Sequence, residues 1–396
     1  MNILFVHTHG IIPTSGGISR TTANLGELFK KRGHEVWYVG LINKNVSFHY
    51  DNNQMFFPDS DGYSSKNVEF LCKIIDKYGI AIIINQVPFS DALVSLIRKC
   101  SMRTGAKIIS CYHNSILTPV INYAYCQEYK LKTRHRNWLF KTLKCKPVAR
   151  LLVSVYILKW RKRFNRASDY SDAVVLLCDG QVDEWLRMCG HKKNSKATVI
   201  PNYATTPTSH IQYDKKKNVL WVGSFDYAIK RPDLMLLIWK VVERKHPDWR
   251  LYMLGDGPSL SEMKSLAQQL KLENVVFTGR VNPSAYYSEA QIECVTSVHE
   301  AFPMVPIESM TEGNPVIAFN SYTSASFVII DQKNGILVKP FDTDAYAKQL
   351  SDLMNDDVKR KSMGVYAKDS VTRFSSEKVY ALWKQLFDRV KVEEVK

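Results

Sequence analysis

His299-Glu300-Ala301-Phe302-Pro303-Met304-Val305-Pro306-Ile307-Glu308-Ser309-Met310-Thr311-Glu312-Gly313-Asn314-Pro315-Val316-Ile317 is the stretch whose reading decides the fold. An apolar run from Ile292 to Val298 precedes it and a second, Val316 to Phe319, closes it; both have the length and composition of buried parallel strands. The order is therefore strand, loop, short helix, strand. Pro306 suits the first helical position, where a missing N–H costs nothing, and Gly313 suits the position just past the helix end. On this reading Val305 is the N-cap, and valine has no side-chain oxygen to accept from the orphan amides of the first turn. A bound anion satisfies those amides and the positive end of the helix dipole. Glu300 on the loop and Glu308 in the first turn then place two carboxylates beside the anion site.

Working outward, Val219-Leu220-Trp221-Val222-Gly223 and the runs at 251–254, 275–278 and 335–338 alternate with helical segments, the pattern of a parallel sheet covered on both faces. The first half repeats it. Strands are expected at 2–7, 35–40, Ala81–Asn85, Lys107–Asn114 (ending in the polar pair His113-Asn114) and Ala173–Cys178, and helices at 18–32, 68–78 and 89–103, with the stretch from Ala197 to Asn202 closing this half. Tyr203 to Asn218, rich in Thr, Pro, Ser and Lys, reads as a linker. Residues 376–392 carry Val379, Leu382, Trp383, Leu386 and Val390 on one face, as in an amphipathic helix. The expected organisation is a domain at 1–203, a second at 204–375, and a terminal helix within 376–396.

With 396 residues the chain is long enough for two domains, and 45% hydrophobic with 23% charged residues excludes wholesale disorder. A net charge of +16 attracts polyanions, anionic lipid or phosphate esters. Eight cysteines lie far apart with no Cys-x-x-Cys pair, which points to reduced thiols in a cytoplasmic protein without a structural zinc or iron–sulfur site. The amino terminus enters a strand at once, so no signal peptide is expected, and no run approaches the roughly 20 apolar residues that span a bilayer.

Residues 130–166 stand apart. Thirteen lysines and arginines fall in this segment with no acidic residue, interleaved with Trp138, Phe140, Leu151, Leu152, Val155, Leu158 and Trp160. Three readings remain open: a helix on an anionic membrane, a packed helical pair with a solvated basic edge, or a nucleic-acid surface. The last lacks any accompanying nucleic-acid motif, and no nucleic-acid partner is expected. Pro13-Thr14-Ser15-Gly16-Gly17 opens the first helix, and its paired glycines suit either close approach to a phosphate or a plain turn. His113 lies where ligands bind in open parallel sheets, outside the carboxyl end of a strand.

Glu300-Ala301-Phe302-Pro303, a second glutamate at Glu308, and Gly313-Asn314-Pro315-Val316 resemble the signature of the retaining nucleotide-sugar glycosyltransferases of family 4, with Ala301 for the more usual glycine. Leu254-Gly255-Asp256-Gly257-Pro258, Val276-Phe277-Thr278-Gly279-Arg280-Val281 and Asn334-Gly335-Ile336-Leu337-Val338 resemble it too. The resemblance covers 219–355 strongly and 1–200 more loosely. It implies an α/β protein of GT-B architecture, with two Rossmann-like domains facing across a cleft and a terminal helix that crosses back to the first.

The resemblance also implies roles. Glu300 accepts from donor-sugar hydroxyls and Glu308 from ribose hydroxyls; the amides near Phe302 to Val305, a stretch that includes Pro303 and Met304, bind sugar and phosphate; Lys230 holds the diphosphate. Gly16 and Gly17 line the cleft, His113 lies beside the transferred sugar, and Arg280 and Val281 belong to the donor site. Ser224 stands where the family usually has arginine, so Ser224 as a donor, Arg231 or Arg280 is expected to compensate. A lysine about 4 Å from phosphate contributes roughly 4 kcal/mol at an effective dielectric near 20, before desolvation. With the helix amides, the site is expected to need no metal or cofactor, and Asp-x-Asp pairs for Mg²⁺ or Mn²⁺ are not expected. The expected reaction moves a sugar from a UDP- or GDP-sugar to a hydroxyl of a lipid-linked saccharide, by same-face attack, at the inner face of the plasma membrane. Epimerisation or phosphorolysis on the same fold, and a nonenzymatic polyanion-binding module, are the alternatives.

Overall fold

Short apolar runs become strands and the amphipathic stretches between them become helices. In chain order these are β1 (Asn2–His9), α1 (Gly17–Lys31), β2 (Glu35–Ile42), β3 (Gln54–Phe56), α2 (Ser65–Tyr78), β4 (Ile80–Asn85), α3 (Asp91–Thr104) and β5 (Lys107–Cys111). A helical stretch follows: α4 (Thr118–Ile121), α5 (Tyr123–Thr133), α6 (Asn137–Lys144) and α7 (Lys146–Asp169); then β6 (Ala173–Leu176), α8 (Asp179–Cys189) and β7 (Ala197–Val199). The second set is β8 (Asn218–Val222), α9 (Pro232–Glu243), β9 (Arg250–Leu254), α10 (Leu260–Gln269), β10 (Val275–Gly279), α11 (Ser284–Glu289), β11 (Ile292–Val295), α12 (Met304–Thr311), β12 (Val316–Phe319), α13 (Ala325–Val328) and β13 (Gly335–Val338). Helices α14 (Thr343–Asn355), α15 (Asp357–Ser370) and α16 (Ser376–Val392) end it. This computed structural model describes residues 1–13, 17–43, 50, 53–191, 194–204 and 215–392. Most of the expected linker therefore lies outside the described residues.

Two parallel sheets result, one ordered β3-β2-β1-β4-β5-β6-β7 and one β10-β9-β8-β11-β12-β13. Each reverses direction once, between β1 and β4 and between β8 and β11, and such switch points open a crevice at the carboxyl ends of the strands. Residues Ile3, Leu4, Phe5 and Val6 are fully buried in succession, as are Ile292 and Cys294 with Ile317 and Phe319, because helices cover both sheet faces. Edge strand β3 is absent from the sequence reading; its three residues pair with β2 only because the chain returns there.

The chain divides into two units, one of residues 1–114, 157–202 and 376–396 and one of 115–156 and 203–375. In the first, α16 lays its apolar face on α1: Trp383 and Phe387 meet Phe29 edge-on at 5.5 and 5.4 Å, and the His34 ring hydrogen-bonds the Tyr380 hydroxyl at 2.8 Å. Residues 115–156 group with the second unit and not the first, as the boundary at 203 would have it. Three contacts explain this. Asn122 donates to the carbonyls of Val298 and Ser321, Tyr125 stacks on Phe341 at 3.7 Å, and Glu128 is ion-paired to Arg231 at 2.9 Å.

Two local expectations shift. Strand β11 stops at Val295 and not Val298: the Thr296 hydroxyl turns to the carbonyls of Lys230 and Arg231, and the Val298 amide to that of Ile229. Helix α12 begins at Met304, so Pro303 is the N-cap, Pro306 is the third residue and Glu308 falls in the second turn. Proline fits any of these first-turn positions because none needs its N–H. Gly313 does adopt positive φ, +74°, just past the helix. Among the described residues no helix is long and apolar enough to cross a membrane.

Candidate active site

In the second unit a cavity of about 440 Å³, the size of a small-molecule pocket, opens at the carboxyl ends of β8, β9 and β10. Ser224, Arg280 and Val281 line it together, as do Gly255 and Gly257. The glycines are required by backbone packing. Gly255 has φ +134°, and a Cβ there would stand 1.9 Å from the Gly223 carbonyl oxygen; one on Gly257 would meet the Phe225 backbone at 2.7 Å. Thus the β9–α10 loop presses against the β8–α9 loop and shapes one wall.

That second loop carries Lys230. The Asp226 carbonyl accepts from the amides of Ile229, Lys230 and Arg231, and the Thr296 hydroxyl, itself held by the Trp221 indole N–H at 2.9 Å, pins the Lys230 and Arg231 carbonyls. The Lys230 stem runs beside Gly223, and its ammonium is ion-paired to Glu300 Oε1. Ser297 donates to the same oxygen at 2.8 Å. Both charged groups keep some exposure, 21% and 15% of their side chains. Burial lowers the pKa of neighbouring His299, against the pull of Glu300, so that ring is neutral near pH 7.

Four residues from Glu300, α12 starts. Its N-cap, Pro303, offers no side-chain acceptor, and the amides of Met304 and Val305 lie in the turn that has no intrahelical acceptor. The Phe302 ring packs into a cluster with Phe374 and Phe327, at 5.5 and 6.3 Å. Glu308 accepts from the Tyr287 hydroxyl at 3.3 Å.

Arg231, expected as one of the possible replacements for the family arginine, is instead buried against two carboxylates. It is 1% exposed, has φ +51°, and gives its guanidinium to both Asp233 oxygens, to Glu128 Oε2 at 2.9 Å and to the Tyr125 carbonyl. Burial lowers its pKa, but Asp233 and Glu128 outweigh burial and raise it. Four of the five N–H groups of this guanidinium are committed to these partners, in a side chain screened from solvent. Ser224 and Arg280, by contrast, stay at the cavity.

Glu293, in β11, escaped the sequence reading because one acidic residue in an apolar run carries no signal of its depth. It is fully buried, with the Val222 backbone and the Ser309 hydroxyl as its polar neighbours. Burial raises its pKa well above the ordinary value and nearby Glu308 adds to the rise, against hydrogen bonds from the Val222 backbone and Ser309 and the charge of Lys230. Its folded pKa exceeds its unfolded one, so the folded protein holds the extra proton. Stability should then be greatest below the unfolded value of about 4.3 and fall as pH rises toward the folded one. Glu293→Gln, which titrates in neither state, should lie close to the parent near pH 5 and exceed it at pH 8 by on the order of 1–3 kcal/mol, since each pH unit over which the folded parent keeps its extra proton costs about 1.4 kcal/mol. Denaturant unfolding at the two pH values checks this; a parallel pH dependence in both proteins refutes it.

In the first unit, Gly17 is the first residue of α1, with open space where a Cβ would stand; Gly16 lies outside the described residues. His113 follows β5. The Gln181 amide group fixes its backbone on both sides, donating to the carbonyls of Tyr112 at 3.1 Å and Asn114 at 2.9 Å. The His113 ring meets Gln86, at the end of β4. Polar Asn85-Gln86 after an apolar strand was the overlooked signal. Two Asp-x-Asp sequences, unexpected above, do occur: Asp59 and Asp61 accept from amides of their own turn, and Asp342 caps α14. Among the described residues no group of three or more His, Cys, Asp or Glu side chains is placed to hold a metal.

Residues 15–205 match the family model for glycosyltransferase family 4, and residues 204–370 that for group 1 glycosyl transferases. With the two parallel-sheet units, this places the chain in the family of GT-B glycosyltransferases. An uncharacterized glycosyltransferase of Haemophilus influenzae is 28% identical over 215 residues, 54% of this chain and 60% of that protein. The amylovoran biosynthesis glycosyltransferase AmsD of Erwinia amylovora is 23% identical over 95% of this chain and 97% of its own. HepE of Anabaena, solved in complex with UDP, shares the fold at a TM-score of 0.71 and 16% identity, over 99% of this chain and 100% of that one.

Proposed function

We propose that this protein transfers a sugar, with retention of configuration, from a UDP- or GDP-sugar to a hydroxyl of a lipid-linked saccharide in cell-surface polysaccharide synthesis. The observation that carries the reading is the Lys230–Glu300 pair beside the mouth of α12, next to the 440 Å³ cavity. The nucleoside enters the cavity. Its diphosphate draws the Lys230 ammonium from Glu300 and takes the α12 amides, whose developing negative charge they stabilise without a metal. Glu300, released, accepts from hydroxyls of the sugar. The acceptor attacks on the face the diphosphate leaves, and a phosphate oxygen takes its proton. The name of AmsD supports a polysaccharide pathway, and the UDP held by HepE supports a nucleoside diphosphate donor.

Helices α6 and α7 support a membrane-borne acceptor. No side chain of α6 is buried, Trp138 is 68% exposed, and on α7 Leu151, Val155 and Leu158 are exposed at the i, i+4, i+7 spacing of one face among lysines and arginines. Cations on such a face contribute about 1 kcal/mol each at an anionic bilayer.

The test incubates the protein with a panel of UDP- and GDP-sugars and lipid-linked saccharides in EDTA, reading glycosylated product and its anomeric configuration. Product of retained configuration supports the proposal; inverted product, epimerised donor without transfer, or transfer lost in EDTA each overturn its corresponding part. Cosedimentation with phosphatidylglycerol vesicles, and not with phosphatidylcholine vesicles, checks the membrane arm.

A further inference from the structure

The loop between β12 and α13, residues 320–324, is stitched to the loop that carries Glu300. The Ser321 hydroxyl donates to the Ser297 carbonyl at 2.7 Å and the Ser324 hydroxyl to the Glu300 carbonyl at 3.3 Å. Asn122 ties the two loops again, through the carbonyls of Val298 and Ser321. Tyr322 lies between those serines, 4% exposed, its carbonyl taken by the Ala325 amide. Its hydroxyl is screened from water and, among the described residues, has no hydrogen-bond partner. A buried hydroxyl without a partner costs stability, and phenylalanine would fill the same space without that cost. Burial first, and the charge of Glu300 second, hold the Tyr322 pKa well above the ordinary phenol value. The oxygen therefore keeps its hydrogen, and the group stays a donor beside a carboxylate. The groups that face Glu300 come from three loops: Lys230 after β8, Ser297 and His299 on its own loop, and Tyr322 after β12. Lys230 and Ser297 both bond Oε1.

We propose that Tyr322 is a positioning residue for Glu300: when a donor diphosphate draws the Lys230 ammonium away, the Tyr322 hydroxyl donates to the Glu300 carboxylate and keeps it aimed at the sugar. The inference rests on the sugar-transfer reading above and adds to it a partner that Glu300 takes only once donor is bound. A carboxylate with 15% of its side chain exposed needs new donors when its cation leaves, and Ser297 supplies one. A hydrogen bond from a hydroxyl to an ionised carboxylate is among the stronger kinds, and this phenol gives up no bond to water to form it. Because the two loops are already tied together, the exchange moves side chains and not backbone.

Tyr322→Phe keeps the ring and removes the hydroxyl, so it separates this role from packing. Without ligand, the variant should melt within about 3 °C of wild type or above it, because the resting hydroxyl has no partner to lose. In the transfer assay its kcat/KM for the donor should fall about tenfold. In a Glu300→Ala background the same substitution should change kcat/KM by less than about twofold, because no carboxylate is left to hold. Comparable falls in both backgrounds, or a wild-type kcat/KM in Tyr322→Phe, overturn the proposal. So does a melting temperature lowered by more than about 3 °C, which would mean that the hydroxyl is bonded in the resting protein. Should the wild-type protein transfer no sugar from any UDP- or GDP-sugar, the sugar-transfer reading fails and takes this inference with it. Transfer by wild type with no loss in Tyr322→Phe fails the inference alone.

Discussion

Lys230→Met is expected to lower the transfer rate about 10²- to 10³-fold with folding intact. Methionine retains the stem that runs beside Gly223 and removes only the charge, so the loss reports the ammonium. Removing one preorganised charge-stabilising donor from an active site typically costs 10²–10³ in kcat. The present partner of that ammonium is Glu300, which a diphosphate would replace. Glu300→Gln should therefore also fall, by at least about tenfold, or 1.4 kcal/mol of transition-state stabilisation. Its oxygen would still accept, but the ionised pair that places Lys230 before donor arrives would be gone. Steady-state kinetics in EDTA check both, with thermal unfolding as the control for folding. Rates equal to wild type in both variants would remove this pair from the mechanism.

Arg231→Leu should be the most destabilising substitution proposed for the second unit. It strands the nearly buried Asp233 carboxylate and leaves Glu128 with Lys132 alone, and breaking a buried pair by removing one partner typically costs about 3–5 kcal/mol. Burial raises the Glu128 pKa, but Arg231 and Lys132 outweigh it and hold that carboxyl below its ordinary range. For a unit of this size the loss should appear as a fall in Tm on the order of 10 °C. Combining Arg231→Leu with Glu128→Gln and Asp233→Asn should restore part of it, since no charge is then left unpaired. A single variant within about 2 °C of wild type would mean the guanidinium is dispensable.

These two neighbours show how unequal the sequence was as a guide. Lys230 and Arg231 are adjacent cations at a loop end, and both read as phosphate ligands. The structure separates them because the loop directs one side chain to Glu300 and buries the other against a carboxylate 103 residues away. The motif around Glu300 was legible for a different reason. Strand, loop and helix follow from local periodicity, and the proline and glycine that bound α12 act on their own backbone. Even so, the helix began two residues early, because several first-turn positions tolerate proline equally.

By itself, the sequence determined what depends on neighbours along the chain: alternating strands and helices, two parallel sheets, a short helix after Glu300 closed by Gly313, and the glycines that let the β9–α10 loop press on Gly223. Tertiary structure alone decided what depends on burial and on distant partners. It put the Glu293 carboxyl out of reach of water, set Gln86 against His113, and grouped residues 115–156 with the second unit. The physical reason is range. Backbone preferences act over a turn or two, whereas the charge state and hydrogen-bond partner of a side chain depend on which residues, however far along the chain, displace its water.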